Sequence, residues 1–388
     1  MSRRLRDFVS TYTRDLKAED LGRLFTRDTR EAYEFFARHI DPKEFEGLRW
    51  HRRLLVHLRL FFVAFTMKLS PARRFVYAAS IIFAIVGVFN LMQLRMAQTD
   101  VGQVNVVVPG VGLPNGLGSL VIAFLLVNLI VLLEVADRLS LKNDLEIARE
   151  IQKAMLPPGR FRAPGADVAG FSRPANTVGG DFYEILPLGD GRLVAAVGDV
   201  AGKGSPASLL MALLLAMMRT LTDERLEPAD LMARLNVQVC RQSPGNRFIT
   251  IFYAVLDLSS GELTYVNAGH TPPLLLRTNG EVERLQSGGV ALGMFERSQF
   301  EAGRIRLQPD DLLAIYSDGI TEAENPKGEP FDEQGLETVL TSERRNNVAA
   351  TCAAVVRAVE RHTADTRLAD DLTLLLLRRS TVPSAAGV

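Results

Sequence analysis

The stretch GGDFYEILPLGDGRLVAAVGDVAGKGSPASLLMALLLAMM, residues 179–218, decides the fold. Two β-type runs, Phe182–Leu186 and Leu193–Asp199, flank the turn sequence LPLGDGRL, which reads as a hairpin. A helical pattern over Pro206–Leu221 follows at once and is very apolar in SLLMALLLAMM. Its apolar part is about a dozen residues, short of the roughly 20 that cross a bilayer, so it reads as a core helix packed on a sheet. An aspartate beside glycine stands at each outer end of the hairpin, Asp181 in GGDFYE and Asp199 in GDVAGKG.

The same texture continues downstream. DLSSGEL and RTNGEV are further hairpin turns, and strands are expected over Asp167–Arg173, Phe248–Asp257, Glu262–Asn267, Leu274–Arg277, Leu312–Ser317 and Leu372–Arg378. A second helical pattern covers Val348–Thr363. These elements predict an α+β domain with a mostly antiparallel sheet system over residues 158–380, and a disordered tail over 381–388.

Upstream the chain changes character. Phe75–Leu94 carries no charge and is long enough to cross a hydrocarbon core of about 30 Å. A second charge-free stretch runs from Val101 to Leu133; its Gly- and Pro-rich first half suits a loop and SLVIAFLLVNLIVLL suits a second helix. Either segment alone could be a buried globular helix, but the tandem pair predicts a transmembrane helical hairpin (about 75–94 and 117–135) within an anchor over 74–136. Arg49, Arg52, Arg53, Arg59, Lys68, Arg73 and Arg74 precede the first span, Arg138, Lys142, Arg149 and Lys153 follow the second, and the loop holds only Arg95. That asymmetry places both ends in the cytoplasm of an inner-membrane, multi-pass protein. Residues 1–73 read as a cytoplasmic helical region, in which Leu54–Met67 can lie along the inner membrane face. Residues 137–157 read as a linker helix with a stripe of Leu139, Leu145, Ala148, Ile151, Gln152 and Met155, ended by Pro157-Pro158. Such a helix can transmit pairing, and a homodimer through it is expected, against the plainer alternative of a connector.

Lys+Arg and Asp+Glu balance at 45 each over 388 residues, which gives no basic footprint for nucleic acid. Cys240 and Cys352 lie far apart without CxxC spacing, which argues against a disulfide framework and a cysteine zinc site. No P-loop is present, and the glycines 179, 180, 198, 202 and 204 serve tight turns.

Four acidic signals stand at strand ends: Asp181, Asp199, Asp318 in YSDGITEAEN, and the pair Asp370-Asp371 in ADDLTLLLL. Any one of them could be a turn former. Together they offer the cluster of carboxylate oxygens that hard divalent cations such as Mg²⁺ or Mn²⁺ take.

The ordered set AREIQKAMLP, GGDFYE, GDVAGKG, FITIFYAVLD, YVNAGHTPPLLLR, GVALGMF, YSDGITEAEN and DDLTLLLL resembles the bacterial PP2C-type phosphatases of the SpoIIE/RsbU class, over essentially all of residues 145–380. The resemblance implies an αββα sandwich, two antiparallel sheets flanked by helices, with two Mn²⁺ or Mg²⁺ ions at one edge. By the same resemblance Asp199 bridges both ions, the Val200 carbonyl completes one coordination shell, Asp181 holds one ion largely through water, and Asp318 with Asp370 (or its neighbour Asp371) holds the other. A metal-bridging water then attacks phosphorus, so Asp181, Asp199, Asp318 and Asp370 form the catalytic set. The eukaryotic enzymes resemble DGHGG, with a His for the leaving group, where this chain has DVAGKG, so either water protonates the leaving group or Lys203 helps bind phosphate, the latter a hypothesis. His270 in NAGHTPP reads as a structural residue.

The implied activity is protein serine/threonine dephosphorylation, on a phosphorylated STAS-domain-like regulatory protein. A catalytically silent scaffold of the same fold is the alternative. A diguanylate-cyclase-like enzyme is weaker, because Phe182 stands where its GG[DE][DE]F motif needs an acid. A transporter is weaker still, because the spans hold no ionisable path.

Overall fold

The computed structural model describes residues 66, 69–99, 113–243, 247–286, 288–364, 366 and 368–380. The expected helical region over 1–50, almost all of the Leu54–Met67 segment, residues 101–112 of the expected inter-span loop and the tail over 381–388 lie outside the described residues, whereas LPNGLG at residues 113–118, expected as loop, is helical. The chain divides into two compact units, Met1–Leu139 and Ser140–Val388.

In the first unit, helix α1 spans Pro71–Thr99 and helix α2 begins at Leu113. Their faces are apolar and exposed at Phe75, Ile82, Ile85, Phe89, Phe124, Leu125 and Leu132. The two helices touch through small residues: a Cβ built on Gly87 would lie 2.7 Å from Leu120 Cγ, and one on Gly116 would lie 3.3 Å from the Gly87 carbonyl. Such close backbone approach is how helices associate in lipid, where apolar side chains gain little from meeting each other. At one end of the pair, Arg73 donates to Glu134 at 3.0 Å and to Asp137 at 2.7 Å. Helix α2 has no break at the expected junction of span and linker; it runs on to Met155, where Pro157-Pro158 follows.

The second unit opens with strands β1 (Arg160–Ala163), β2 (Ala166–Arg173), β3 (Phe182–Leu188) and β4 (Arg192–Val200). Helices α3 (Ser205–Thr222) and α4 (Pro228–Gln242) follow, each with proline in its first turn, where no N–H partner is lost. Then come β5 (Ile249–Asp257), β6 (Glu262–Ala268), β7 (Leu274–Leu276), β8 (Val282–Arg284), β9 (Gly303–Arg306) and β10 (Leu312–Tyr316). The chain closes with α5 (Asp318–Thr321), α6 (Asp332–Ser342), α7 (Val348–Thr363) and β11 (Leu372–Arg379). Helix α7 starts on an Asn347 cap whose side chain accepts from the Ala350 N–H.

Two antiparallel sheets result, one of order β1-β2-β11-β10-β7-β8 and one of order β3-β4-β5-β6-β9. Their facing sides make one core, with Val168, Leu313, Leu375 and Leu377 of the first sheet against Leu193, Val197, Phe252 and Leu263 of the second. The outer face of the second sheet is covered by α3 and α4 through Met211, Leu214, Leu215, Leu231 and Leu235. The outer face of the first is covered by α6 and α7 through Leu336, Leu340, Val355 and Val359. This is the αββα sandwich, with helix α3 packed on the second sheet as expected. Helix α3 is apolar and long enough to span a bilayer, as are two other described helices, yet it spends that surface on the sheet. Replacing Leu214, fully buried in this layer, by alanine costs about 2–5 kcal/mol.

The expected hairpins all form, with β3–β4, β5–β6 and β7–β8 turning at the glycine-bearing sequences. Strands β1, β8 and β9 and helices α4, α5 and α6 are additions. The three strands are short, and arginines on their exposed positions blunt the open strands β1 and β9 at the sheet edges. Helix α4 carries its buried residues at Leu231, Leu235 and Val239, a readable four-residue spacing, whereas α6 buries only Leu336 and Leu340.

Candidate active site

Antiparallel pairing explains how four separated sequence signals reach one region. Asp181 precedes β3 and Asp199 lies near the end of β4, and the register pairs Phe182 with Gly198. Asp318 follows β10 and Asp370-Asp371 precede β11, with Tyr316 paired to Leu374. In each sheet a strand start and a neighbouring strand end therefore share one edge.

The two edges meet at the loop before β3. Asp371 is buried, and its carboxylate gathers three backbone donors: Ala175 N–H at 2.8 Å on Oδ1, with Gly180 N–H at 2.8 Å and Asp181 N–H at 3.3 Å on Oδ2. The loop can close this tightly because residue 179 is glycine; a Cβ there would lie 2.1 Å from Asp371 Oδ2. The Val200 carbonyl points at the same loop, 2.9 Å from where a Gly180 Cβ would be. Asp370 faces outward instead. Its Oδ2 lies 2.9 Å from Lys203 Nζ, which also donates to the Ala369 carbonyl at 2.5 Å, and its Oδ1 accepts the Asp371 N–H.

Burial of the carboxylates is the dominant electrostatic fact, and neighbouring like charges add to it. Burial, with the Asp199 and Asp371 charges added, pushes the Asp181 carboxyl well above the usual carboxylate range, and the Ser317 and Thr373 side chains offset part of this. Burial likewise raises Asp199 to about 6; contact with Asp181 opposes the shift, and Asp318, Asp370 and Asp371 add to it. Asp318 is raised by burial and by Asp370. Lys203 is held charged above its ordinary value by the bond to Asp370.

The donor set fits a hard divalent cation. Asp181 Oδ2 is buried without a hydrogen-bond partner, and the raised carboxylates together call for more positive charge than Lys203 supplies. Among the described residues no three acidic side chains close on a single point. The carboxylates are instead arranged as neighbouring pairs, Asp181 with Asp199 and Asp318 with Asp370, while Asp371 is committed to the backbone.

His270 is buried and is bound to Thr250, the residue paired with Asp199 across the sheet. Its Nδ1 is 3.0 Å from Thr250 Oγ1, its backbone N–H donates to Asn267 Oδ1, and burial holds the imidazole neutral with a pKa of about 4. Ser317 and Thr373, beside the acidic motifs YSDG and DDLT, were not singled out by sequence reasoning; Ser317 Oγ bridges the Asp371 carbonyl and the Thr373 N–H.

Fold and site together define a PP2C-type phosphatase domain. Residues 189–380 match the family described as Stage II sporulation protein E (SpoIIE). The chain is 32% identical over 237 residues to Protein IcfG of Synechocystis, covering 54% of this chain and 37% of that one. It is 27% identical over 244 residues to phosphoserine phosphatase RsbU of Bacillus subtilis, covering 62% and 71%. Among solved structures, the RsbU and RsbW domains of Rv1364c from Mycobacterium tuberculosis align at 29% identity and TM-score 0.51, over 56% of this chain and 61% of that one. The SiaA-PP2C domain of Pseudomonas aeruginosa shares the fold at 21% identity and TM-score 0.56, over 63% of this chain and 98% of that one. By sequence and fold, residues 189–380 are a phosphatase domain similar to the SpoIIE/RsbU class of PP2C-type phosphatases, in a chain that spans 37% of the length of Protein IcfG.

Proposed function

We propose that this protein is a membrane-anchored, metal-dependent protein serine/threonine phosphatase acting on a regulatory phosphoprotein. The observation that carries the reading is the convergence of Asp181, Asp199, Asp318 and Asp370 from four strand ends onto one edge, with the carboxyls of Asp181, Asp199 and Asp318 raised by burial and by neighbouring negative charge. Asp199, paired with Asp181 and within electrostatic reach of Asp318 and Asp370, would be the ligand shared by two Mn²⁺ or Mg²⁺ ions, and Asp181, the Val200 carbonyl, Asp318 and Asp370 would be the other groups that hold them. Bound there, such ions supply an acidified water and a clamp for phosphoryl oxygens.

The chain's own groups do the rest. Asp371 fixes the loop that carries Asp181, through three backbone donors. Lys203 is half-exposed beside Asp370, where its ammonium can meet a phosphate dianion entering from solvent. No Ser, Cys or His nucleophile is required, and His270 is too buried to reach a phosphoprotein.

Two relatives bear the name phosphoserine phosphatase, RsbU and RsbP, which supports a phosphoserine protein as substrate. A STAS-domain-like partner is our reading of that class. The exposed apolar faces of α1 and α2 support an anchor in the inner membrane, with the catalytic unit in the cytoplasm, and the linker portion of α2 supports homodimerisation. Phosphate release from a phosphoserine protein that requires Mn²⁺ or Mg²⁺ and is lost in Asp199→Ala tests the proposal. A folded chain that binds a phosphoprotein without turnover points to a scaffold instead.

A further inference from the structure

The last turns of helix α2 do more than lead into the domain; they hold the site loop. Gln152 is buried, and its side-chain amide makes a reciprocal pair with one backbone unit: Nε2 donates to the Gly179 carbonyl at 2.9 Å, and Oε1 accepts the Gly179 N–H at 3.2 Å. Gly179 is the residue whose missing side chain lets the loop close on Asp371, and the next two N–H groups, of Gly180 and Asp181, bind that carboxylate. Gln152 thus grips one side of the loop and Asp371 the other. Neighbouring contacts fix the helix end itself. Arg219 of α3 donates to the Met155 carbonyl at 2.6 Å and to the buried Glu184 carboxylate at 2.6 Å, and Tyr183 Oη donates to the Pro157 carbonyl at 3.0 Å. Glu184 and Tyr183 belong to β3, the strand that Asp181 opens.

We propose that Gln152 is a positioning residue for the carboxylate cluster: its amide pair with Gly179 sets the placement of Asp181 and the grip on Asp371, so metal binding depends on that pair. The inference rests on the metal-dependent phosphatase reading. A purely structural amide would lower stability when lost and leave metal affinity unchanged. A positioning amide acts on the site, because its loss leaves Gly179 free to drift while the fold survives on its sheets and helices. Two neutral hydrogen bonds lost from one backbone unit correspond to about a tenfold weakening of whatever that unit positions.

The test uses the full chain in detergent micelles, as wild type, Gln152→Leu, Gln152→Glu and Tyr183→Phe. Two quantities are read: the Mn²⁺ concentration giving half-maximal phosphate release, and the rise in thermal midpoint between EDTA and Mn²⁺. Gln152→Leu is expected to need about tenfold more Mn²⁺ and to show a smaller midpoint rise. Gln152→Glu, which keeps the acceptor for the Gly179 N–H, should fall between it and wild type. Tyr183→Phe, which unties the linker without touching the loop, should keep both quantities within about twofold of wild type. Equal metal dependence in wild type and Gln152→Leu, or an equal shift in Tyr183→Phe, overturns the inference. Wild type that gains midpoint with Mn²⁺ but releases no phosphate overturns the phosphatase reading alone, because the midpoint rise still reports on Gln152. Wild type that shows neither response overturns both.

Discussion

Asp370 and Asp371 are neighbours in sequence with opposite duties, and alanine at each should separate stability from activity. Asp371 accepts from three backbone N–H groups, two of them on the buried stretch Gly180-Asp181. Leaving a buried donor unsatisfied costs about 1–3 kcal/mol. Two such donors and one half-buried one sum to about 3–5 kcal/mol for Asp371→Ala. Relief of repulsion with Asp181 and Asp199 returns part of this, leaving a net loss of about 3 kcal/mol, or roughly 6–12 °C in thermal midpoint for a domain of this size. Asp370 gives up only an exposed ion pair with Lys203 and a bond to the next N–H, and it sheds repulsion with Asp318. Its alanine variant should therefore stay within about 1 kcal/mol of wild type. Calorimetry of residues 140–388 in EDTA, paired with Mn²⁺-dependent phosphate release, reads both. The expected result is a stable, inactive Asp370→Ala and a destabilised Asp371→Ala, with Asp371→Asn between wild type and Asp371→Ala in stability. Equal destabilisation at the two positions would refute the division of labour.

The raised carboxyls of Asp181, Asp199 and Asp318 bind protons more tightly in the folded state than when unfolded, so without metal their contribution to stability falls as pH rises from about 4 to about 6. His270, neutral and buried, has the opposite slope between about 6.5 and 4 with or without metal; the difference between EDTA and Mn²⁺ melts should isolate the carboxylates, and identical slopes would contradict the cluster. Lys203→Ala is expected to raise the KM for a phosphoprotein by up to about tenfold with kcat less affected, and unchanged kinetics removes its phosphate role. His270→Ala should lose about 2–4 kcal/mol of stability from a buried cavity and broken hydrogen bonds, yet keep activity per folded molecule within about threefold. A much larger loss of turnover in folded protein would return His270 to the catalytic set.

The domain was legible where a strand announced itself by an apolar run and a glycine-bearing turn. Phe182–Leu188 and Arg192–Val200 are such strands, and Val348–Thr363 shows its helical spacing as plainly. RFRA, VER and GRIR were not legible as strands, because edge strands bury little and their pairing partner, rather than their own pattern, makes them strands. The acidic residues were legible as a set because each stands at a strand end, three of them beside glycine. What each one does was less so. Nothing local distinguishes Asp370 from Asp371; the difference comes from the loop at residues 175–181, nearly 200 positions away. Gln152 was visible only as part of a helical stripe, since its partner is a backbone unit that carries no side-chain signal.

The central claim is a metal-dependent phosphatase whose site is built on Asp199. The direct measurement is phosphate release from a phosphoserine protein by the purified full chain in detergent, with Mn²⁺, with EDTA, and in Asp199→Ala. The account predicts turnover with Mn²⁺, none with EDTA, and a folded but inactive Asp199→Ala. Turnover that persists in EDTA or in Asp199→Ala, or a folded wild type that never releases phosphate, would contradict it.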